Sequence, residues 1–104
     1  MDRVGFTMRI LPGQEGEYRR RHAAVWPEML DALKAAGARD YSIFIRGDDL
    51  FAYLVVDDFD AFRRSMAATD VNERWQAEMA RLIDPLTDPA TGFHQRLEEI
   101  FHLD

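Results

Sequence analysis

Val4-Gly5-Phe6-Thr7-Met8-Arg9-Ile10-Leu11 alternates: Val4, Phe6, Met8 and Ile10 fall on one side, and Gly5, Thr7 and Arg9 on the other. Successive side chains of a strand point to opposite faces, so this is a strand with one face buried. Pro12-Gly13 ends it. Gln14 to about Arg21 is polar and rich in helix formers. Its acidic residues, Glu15 and Glu17, come first and Arg19, Arg20 and Arg21 come last, an order that complements a helix dipole. Pro27 disfavours helical geometry at Trp26 but suits the first position of a new helix, so a break between Ala23 and Trp26 is expected, then a helix from Pro27 to Ala36. Met29, Leu30 and Leu33 have helical spacing in it, and Gly37 reads as its C-cap.

Tyr41 to Ile45 and Leu50 to Val56 read as strands joined by the turn Arg46-Gly47-Asp48-Asp49. Asp58 to Ala67 reads as a third helix. Thr69-Asp70-Val71-Asn72-Glu73 has the look of a capping box, starting a helix that runs to about Ile83. Pro85, Asp88, Pro89 and Gly92 mark a loop, and Leu97 to Leu103 reads as a final strand or extended tail. No repeat or interdomain linker interrupts the chain, so residues 1–104 read as one domain. The order β, α, β, β, α, β predicts an α+β fold: a ferredoxin-like split βαβ sandwich with its helices on one face of the sheet. The other face then carries apolar residues with nothing to cover them, which predicts a homodimer.

The 104 residues suit one domain, and a domain this small gains from a partner subunit. A net charge of −6 argues against nucleic acid as a partner and against an anionic membrane surface. There is no cysteine, which excludes disulfides and thiolate metal sites and fits a reducing cytosol. No apolar run approaches the roughly 20 residues a membrane span needs, and Met1-Asp2-Arg3-Val4 does not open like a signal peptide. A cytoplasmic location is the expectation.

Chemistry is concentrated in Tyr18 to Pro27. Tyr18 and His22 lie one helical turn apart, and Trp26 would continue the stripe. A phenol, an imidazole and an indole stand where a helix facing a sheet normally offers aliphatic residues. Apolar sugar faces pack on such rings while hydroxyls meet the polar tips. The plainer alternative is that Tyr18 and Trp26 pack the core and His22 ends the helix. His22 can exchange protons near neutrality. The neighbouring arginines would lower its pKa and a helix C-terminus would raise it, so the sequence leaves the direction open. Tyr41 alternates with Ile43 and Ile45, placing it on the core side with its hydroxyl toward a cavity. Trp75, with Met79 and Leu82 at helical spacing, reads as core. Asp70 reads most simply as a helix cap. His94 and His102 form no metal-ligand pattern, and no phosphate loop or nucleophile elbow is present.

Several blocks together resemble the L-rhamnose mutarotase family. They are Glu17-Tyr18-Arg19-Arg20-Arg21-His22, Val25-Trp26-Pro27-Glu28, Gly37-Ala38-Arg39-Asp40-Tyr41-Ser42-Ile43, Ser65 to Val71, Arg74-Trp75 and Glu99-Ile100-Phe101-His102-Leu103. The resemblance runs nearly the whole length, and Tyr-x-x-x-His-x-x-x-Trp-Pro-Glu is its most specific part. It implies a dimeric α+β barrel that interconverts α and β sugar anomers without cofactor or metal. It also implies that Tyr18 and His22 bind sugar and supply a proton donor, that Tyr41 contacts sugar, and that a tryptophan pair on the last helix does too. Here that pair reads Trp75-Gln76, so an amide replaces an indole. The stretch Asp84-Pro85-Leu86-Thr87-Asp88-Pro89-Ala90 also departs from the family's Asn-Pro-Asp-Asn-Ser-Pro-like loop. A related 6-deoxyhexose such as L-fucose is therefore an alternative substrate. A sugar-binding module without turnover and a cofactor-independent oxygenase of the same fold are the rival readings.

Overall fold

A computed structural model describes residues 1–104. Strand β1 (Asp2–Ile10) is followed by helices α1 (Glu15–Ala23) and α2 (Pro27–Ala35). The hairpin β2 (Arg39–Arg46) and β3 (Asp49–Val56) comes next, then α3 (Phe59–Ala67) and α4 (Asp70–Met79), and the chain closes with β4 (Ile83–Asp84) and β5 (Gln95–Leu97). The sheet runs β2-β3-β1-β4, with β5 also on β1. This is the antiparallel ferredoxin-like order that the element sequence predicts.

The alternation in β1 is the core's organising pattern. Val4, Phe6, Met8 and Ile10 are all buried. Their register sets Val4 beside Leu54, Phe6 beside Ala52 and Met8 beside Leu50. These residues share the inner face, against which the helices lay Met29, Phe62, Met66, Val71, Trp75 and Met79. Burying a side chain of this size contributes about 1.5–3 kcal/mol relative to leaving it in water. On the outer face, Phe44 opposes Phe51 and Ser42 opposes Tyr53. Phe44 is 63 % exposed, and Leu97 and Tyr53 are open as well.

Pro27 acts as the sequence requires. Trp26 adopts φ −55°, ψ 132°, the extended geometry favoured before proline, and Pro27 opens α2. The hairpin β2–β3 carries an irregularity between Arg39 and Ser42, where Asp40 takes φ 51°. Such a bulge shifts the alternation, so Arg39 pairs beside Val55 and reaches Asp57 at 3.0 Å, while Tyr41 stays on the inner side.

Three local expectations need correction. Helix α4 stops at Met79, not Ile83. Asp84 precedes Pro85 and so resists helical geometry, and Ile83 instead pairs with Ile10 as β4. The cap of α4 is Thr69, whose Oγ1 accepts the Asn72 N–H at 3.3 Å. Asp70 is the first helical residue and bonds Arg74 at 2.8 Å. The last strand is Gln95–Leu97, so of the two readings of Leu97 to Leu103 the strand falls and the tail stands. Beyond it Ile100, Phe101 and Leu103 have no surface of this chain to pack on. The tail is held at Glu99, which accepts two bonds from Arg3 at 2.7 and 3.0 Å.

Leu50 is 1 % exposed on the inner face, paired with Met8. Leu50→Ala is expected to lower unfolding stability by about 2–5 kcal/mol in urea titration, because the removed atoms leave a cavity among rigid neighbours. A loss well under about 1 kcal/mol would show that the β1–β3 layer is not the core's centre.

Candidate active site

Between the inner face of the sheet and the helices lies an open-mouthed cavity of about 700 Å³. Its apolar walls include Phe6, Met29, Leu33, Phe62 and Met66. Its polar groups come from separate elements: His22 from α1, Tyr41 from β2, Arg63 from α3, Asn72 and Gln76 from α4, and His94 from the segment between β4 and β5. Trp75 lines it as well. No group of three or more His, Asp or Glu side chains converges on a metal-sized site.

The expected stripe on α1 is real, but its members differ in role. The Tyr18 ring stacks on His22 with centroids 4.1 Å apart, and His22 meets the edge of Trp75 at 5.6 Å. Trp26 in turn meets Trp75 at 5.1 Å. Four rings thus form a continuous wall, of which only His22 and Trp75 border the cavity. Tyr18 is buried behind the imidazole, and Trp26 packs against the far side of Trp75 under the Arg74 guanidinium, 5.6 Å from its ring. Asp70, engaged with Arg74, does not border the cavity.

His22 has a defined protonation pattern. Its Nδ1 lies 2.9 Å from the Tyr18 carbonyl oxygen. A carbonyl can only accept, so Nδ1 carries the hydrogen and Nε2 keeps its lone pair. Burial pushes the His22 pKa down, and the carbonyl contact only partly offsets this. The neighbouring arginines are occupied elsewhere: Arg20 and Arg21 bind Glu17, and Arg21 also reaches Glu78 at 3.2 Å. The direction that the sequence left open is therefore downward, and its cause is burial. Tyr41 is 39 % exposed as a residue, yet its hydroxyl is packed around by protein, and burial pushes its pKa up to about 12. It is a hydrogen-bond donor across the neutral range. Burial also raises Tyr18.

Trp75 is buried in the core and still shows a face to the cavity, so the packing and binding readings of this residue coexist. Gln76 donates to Asn72 Oδ1 at 3.2 Å, so the two amides act as one unit. Asn72 was hidden in the sequence as part of a capping segment, although its spacing to Gln76 is one helical turn. Arg63 was not singled out either, and His94 was weighed only as a metal ligand and set aside. The adjacent aromatic rings of Phe93-His94, in a loop with no other ring of that kind, were the available signal.

Comparison with known proteins gives one consistent result. The family model described as L-rhamnose mutarotase matches residues 3–103. An L-rhamnose mutarotase from Burkholderia orbicola is 43 % identical, over 100 % of both chains. One from Listeria monocytogenes is 41 % identical over 99 % of both. The crystal structure of an L-rhamnose mutarotase from Formosa agariphila superposes with a TM-score of 0.81 at 30 % identity, over 100 % of both chains. Tetracenomycin F2 cyclase from Streptomyces glaucescens, at 18 % identity and TM-score 0.60, shares the fold.

Burial lowers the pKa of both His22 and His94 below the usual 6.5. Each then binds its proton more weakly folded than unfolded, so its contribution to stability is complete above that value and is lost as pH falls through the folded pKa. Histidine NMR titration is expected to place both midpoints below 6.5. Melting temperature should fall between pH about 7 and about 5, and a His22→Asn, His94→Asn double variant should flatten this slope. A His22 midpoint above the usual value would contradict the burial account.

Proposed function

The chain belongs to the L-rhamnose mutarotase family and is an isomerase that interconverts the α and β anomers of L-rhamnose, and on that premise we propose that His22 is the side chain that moves the anomeric proton. The observation that carries this is the bare Nε2 of an imidazole whose other nitrogen is tied to the Tyr18 carbonyl at the cavity wall. Mutarotation requires the anomeric hydroxyl to lose a proton while the ring oxygen gains one. The C1–O5 bond then breaks, the aldehyde turns about C1–C2, and the ring recloses on the other face. An unprotonated Nε2 takes the O1 proton on opening and returns it on closure. Positioned proton transfer of this kind contributes about 10²–10⁴-fold.

The other residues serve binding and aim. Trp75 offers a ring for the apolar sugar face, and Tyr41 donates to a hydroxyl. Gln76, at the position of the second tryptophan of the pair that the resemblance implies, supplies an amide in its place, and Asn72 beside it supplies another. Met29, Leu33 and Met66 give an apolar wall that suits the methyl group of a 6-deoxyhexose. Tyr18 acts through His22: its carbonyl fixes the tautomer and its ring supports the imidazole.

The open sheet face supports a further reading, that the working unit is a homodimer of single-domain chains packed face to face. Phe44, Phe51, Tyr53 and Leu97 are partly or largely open there, on a chain whose other sheet face is its core. No helix is long and apolar enough to cross a membrane. The absence of cysteine fits a reducing compartment, and on that ground we place the enzyme in the cytoplasm.

Exchange between the anomeric proton signals of L-rhamnose, followed by NMR, tests the site. His22→Asn is expected to slow exchange at saturating sugar by about 10²-fold or more, whereas Tyr18→Phe, which keeps ring and carbonyl, should stay within about threefold. Equal rates for wild type and His22→Asn would remove His22 from the reaction. Light scattering should give twice the chain mass for wild type and a single chain mass for Phe44→Asp; a monomeric wild type would exclude the dimer.

A further inference from the structure

His94, which borders the same cavity, repeats the arrangement that defines His22. Its Nδ1 lies 2.7 Å from the Pro85 carbonyl oxygen, so Nδ1 bears the hydrogen and Nε2 is left with a lone pair and no protein partner. The ring stacks on Phe6 with centroids 4.9 Å apart and planes 8° from parallel, and it borders the same cavity as His22. Two imidazoles with the same tautomer and the same kind of carbonyl tether therefore face one space.

The segment that carries His94 is held firmly. Thr87 and His94 form a bridge, the Gln95 N–H donates to the Leu86 carbonyl at 3.1 Å, and the Asp88 N–H donates to the Phe93 carbonyl at 2.7 Å. Phe93 plugs this hairpin into the core against Phe6 and Phe59, with the Arg63 guanidinium 4.9 Å above its ring. A side chain serving only as loop packing could be any ring that stacks on Phe6. Here a titratable ring with one uncommitted nitrogen borders the cavity, and the reaction needs a second proton-transfer group.

We propose that His94 is that second group, the partner of His22 at the sugar ring oxygen. The proposal rests on the mutarotase reading of the cavity. The working pair holds one proton beyond those on the two Nδ1 atoms, drawn from solvent. His94 gives its Nε2 proton to O5 while the C1–O5 bond breaks, and His22 Nε2 takes the proton of the O1 hydroxyl as the C1=O1 bond forms. After rotation about C1–C2, His22 returns its proton to O1 and His94 recovers the one on O5 as C1–O5 reforms. Both rings end as they began, with no external donor consumed.

The experiment uses the full chain and the same anomeric-exchange NMR. His94→Asn keeps an N–H able to reach the Pro85 carbonyl but has no basic nitrogen. It is expected to slow exchange at saturating L-rhamnose by about 10²-fold while changing sugar affinity, read from tryptophan fluorescence, by less than about threefold. His94→Ala is expected to regain rate on addition of free imidazole, and to regain it in proportion to imidazole occupancy. A role confined to packing would give no such rescue. An unchanged rate in His94→Asn overturns the proposal, and so does a slow His94→Ala enzyme that imidazole fails to rescue. If wild type itself accelerates nothing, the mutarotase reading falls and this proposal with it. Activity in wild type with a fully active His94→Asn removes only His94. Thermal melts of both variants separate loss of fold from loss of chemistry.

Discussion

Every second side chain of β1 is committed to one side, and the rest of the molecule is arranged around that commitment. Val4, Phe6, Met8 and Ile10 demand cover, and β1 sits between β3 on one edge and β4 and β5 on the other. The helices must therefore lie on one face of the sheet. They do not close completely over Phe6, and the gap they leave is the cavity. Binding space and core are thus continuous, which is why Trp75, Phe62 and Met66 belong to both. The sheet cannot satisfy its outer face in the same way, and Phe44 is left largely open there.

The wall of rings beside the cavity depends on a backbone event at Trp26. A helix running straight through it would carry Trp26 onward along α1, one turn beyond His22. The turn forced by Pro27 places it edge-on to Trp75 and sends α2 across to α4, where Glu28 and Arg74 meet at 3.2 Å. His22 then stands at the last turn of α1, half-buried, with its ring between Tyr18 and Trp75. A proline that looks like punctuation in the sequence thus helps set which rings surround the His22 imidazole.

How much of this could be read in advance depended on the range of the interactions. The strands β1 and β3, the Trp26 break and the helix starts follow from alternation, proline geometry and capping, all of which are local. The turn at Gly47, with φ 62°, was equally local. The end of α4 was not, because Ile83 chooses strand geometry only when Ile10 is there to receive it. Between a final strand and a tail over Leu97 to Leu103 the sequence could not choose for a similar reason: the apolar residues suit a strand, but nothing in this chain covers them. In the site, Tyr18 and His22 stood out by residue type and spacing and Tyr41 by its core-side place beside a cavity, whereas spacing read Trp75 as core and only the family resemblance gave it a place in the site. Arg63 and His94 did not stand out, because their placement follows from the folding back of residues 85–94. The sign of the His22 shift also required the fold, since it depends on how deeply the ring is buried beside Tyr18 and Trp75.

Strands β4 and β5 share one edge of β1, pairing with Arg9–Ile10 and with Gly5–Thr7, so that only Met8 separates their registers. Residues 85–94 leave the edge after the first strand and return to begin the second. Each strand is held to β1 independently. The excursion between them can therefore change length or composition without sliding the sheet, and it delivers its side chains directly over the inner face. In evolutionary terms this edge is an exchangeable cassette. A lineage could retune which sugar the cavity prefers by rewriting these residues, while the folding of the remaining scaffold stays insulated from the experiment.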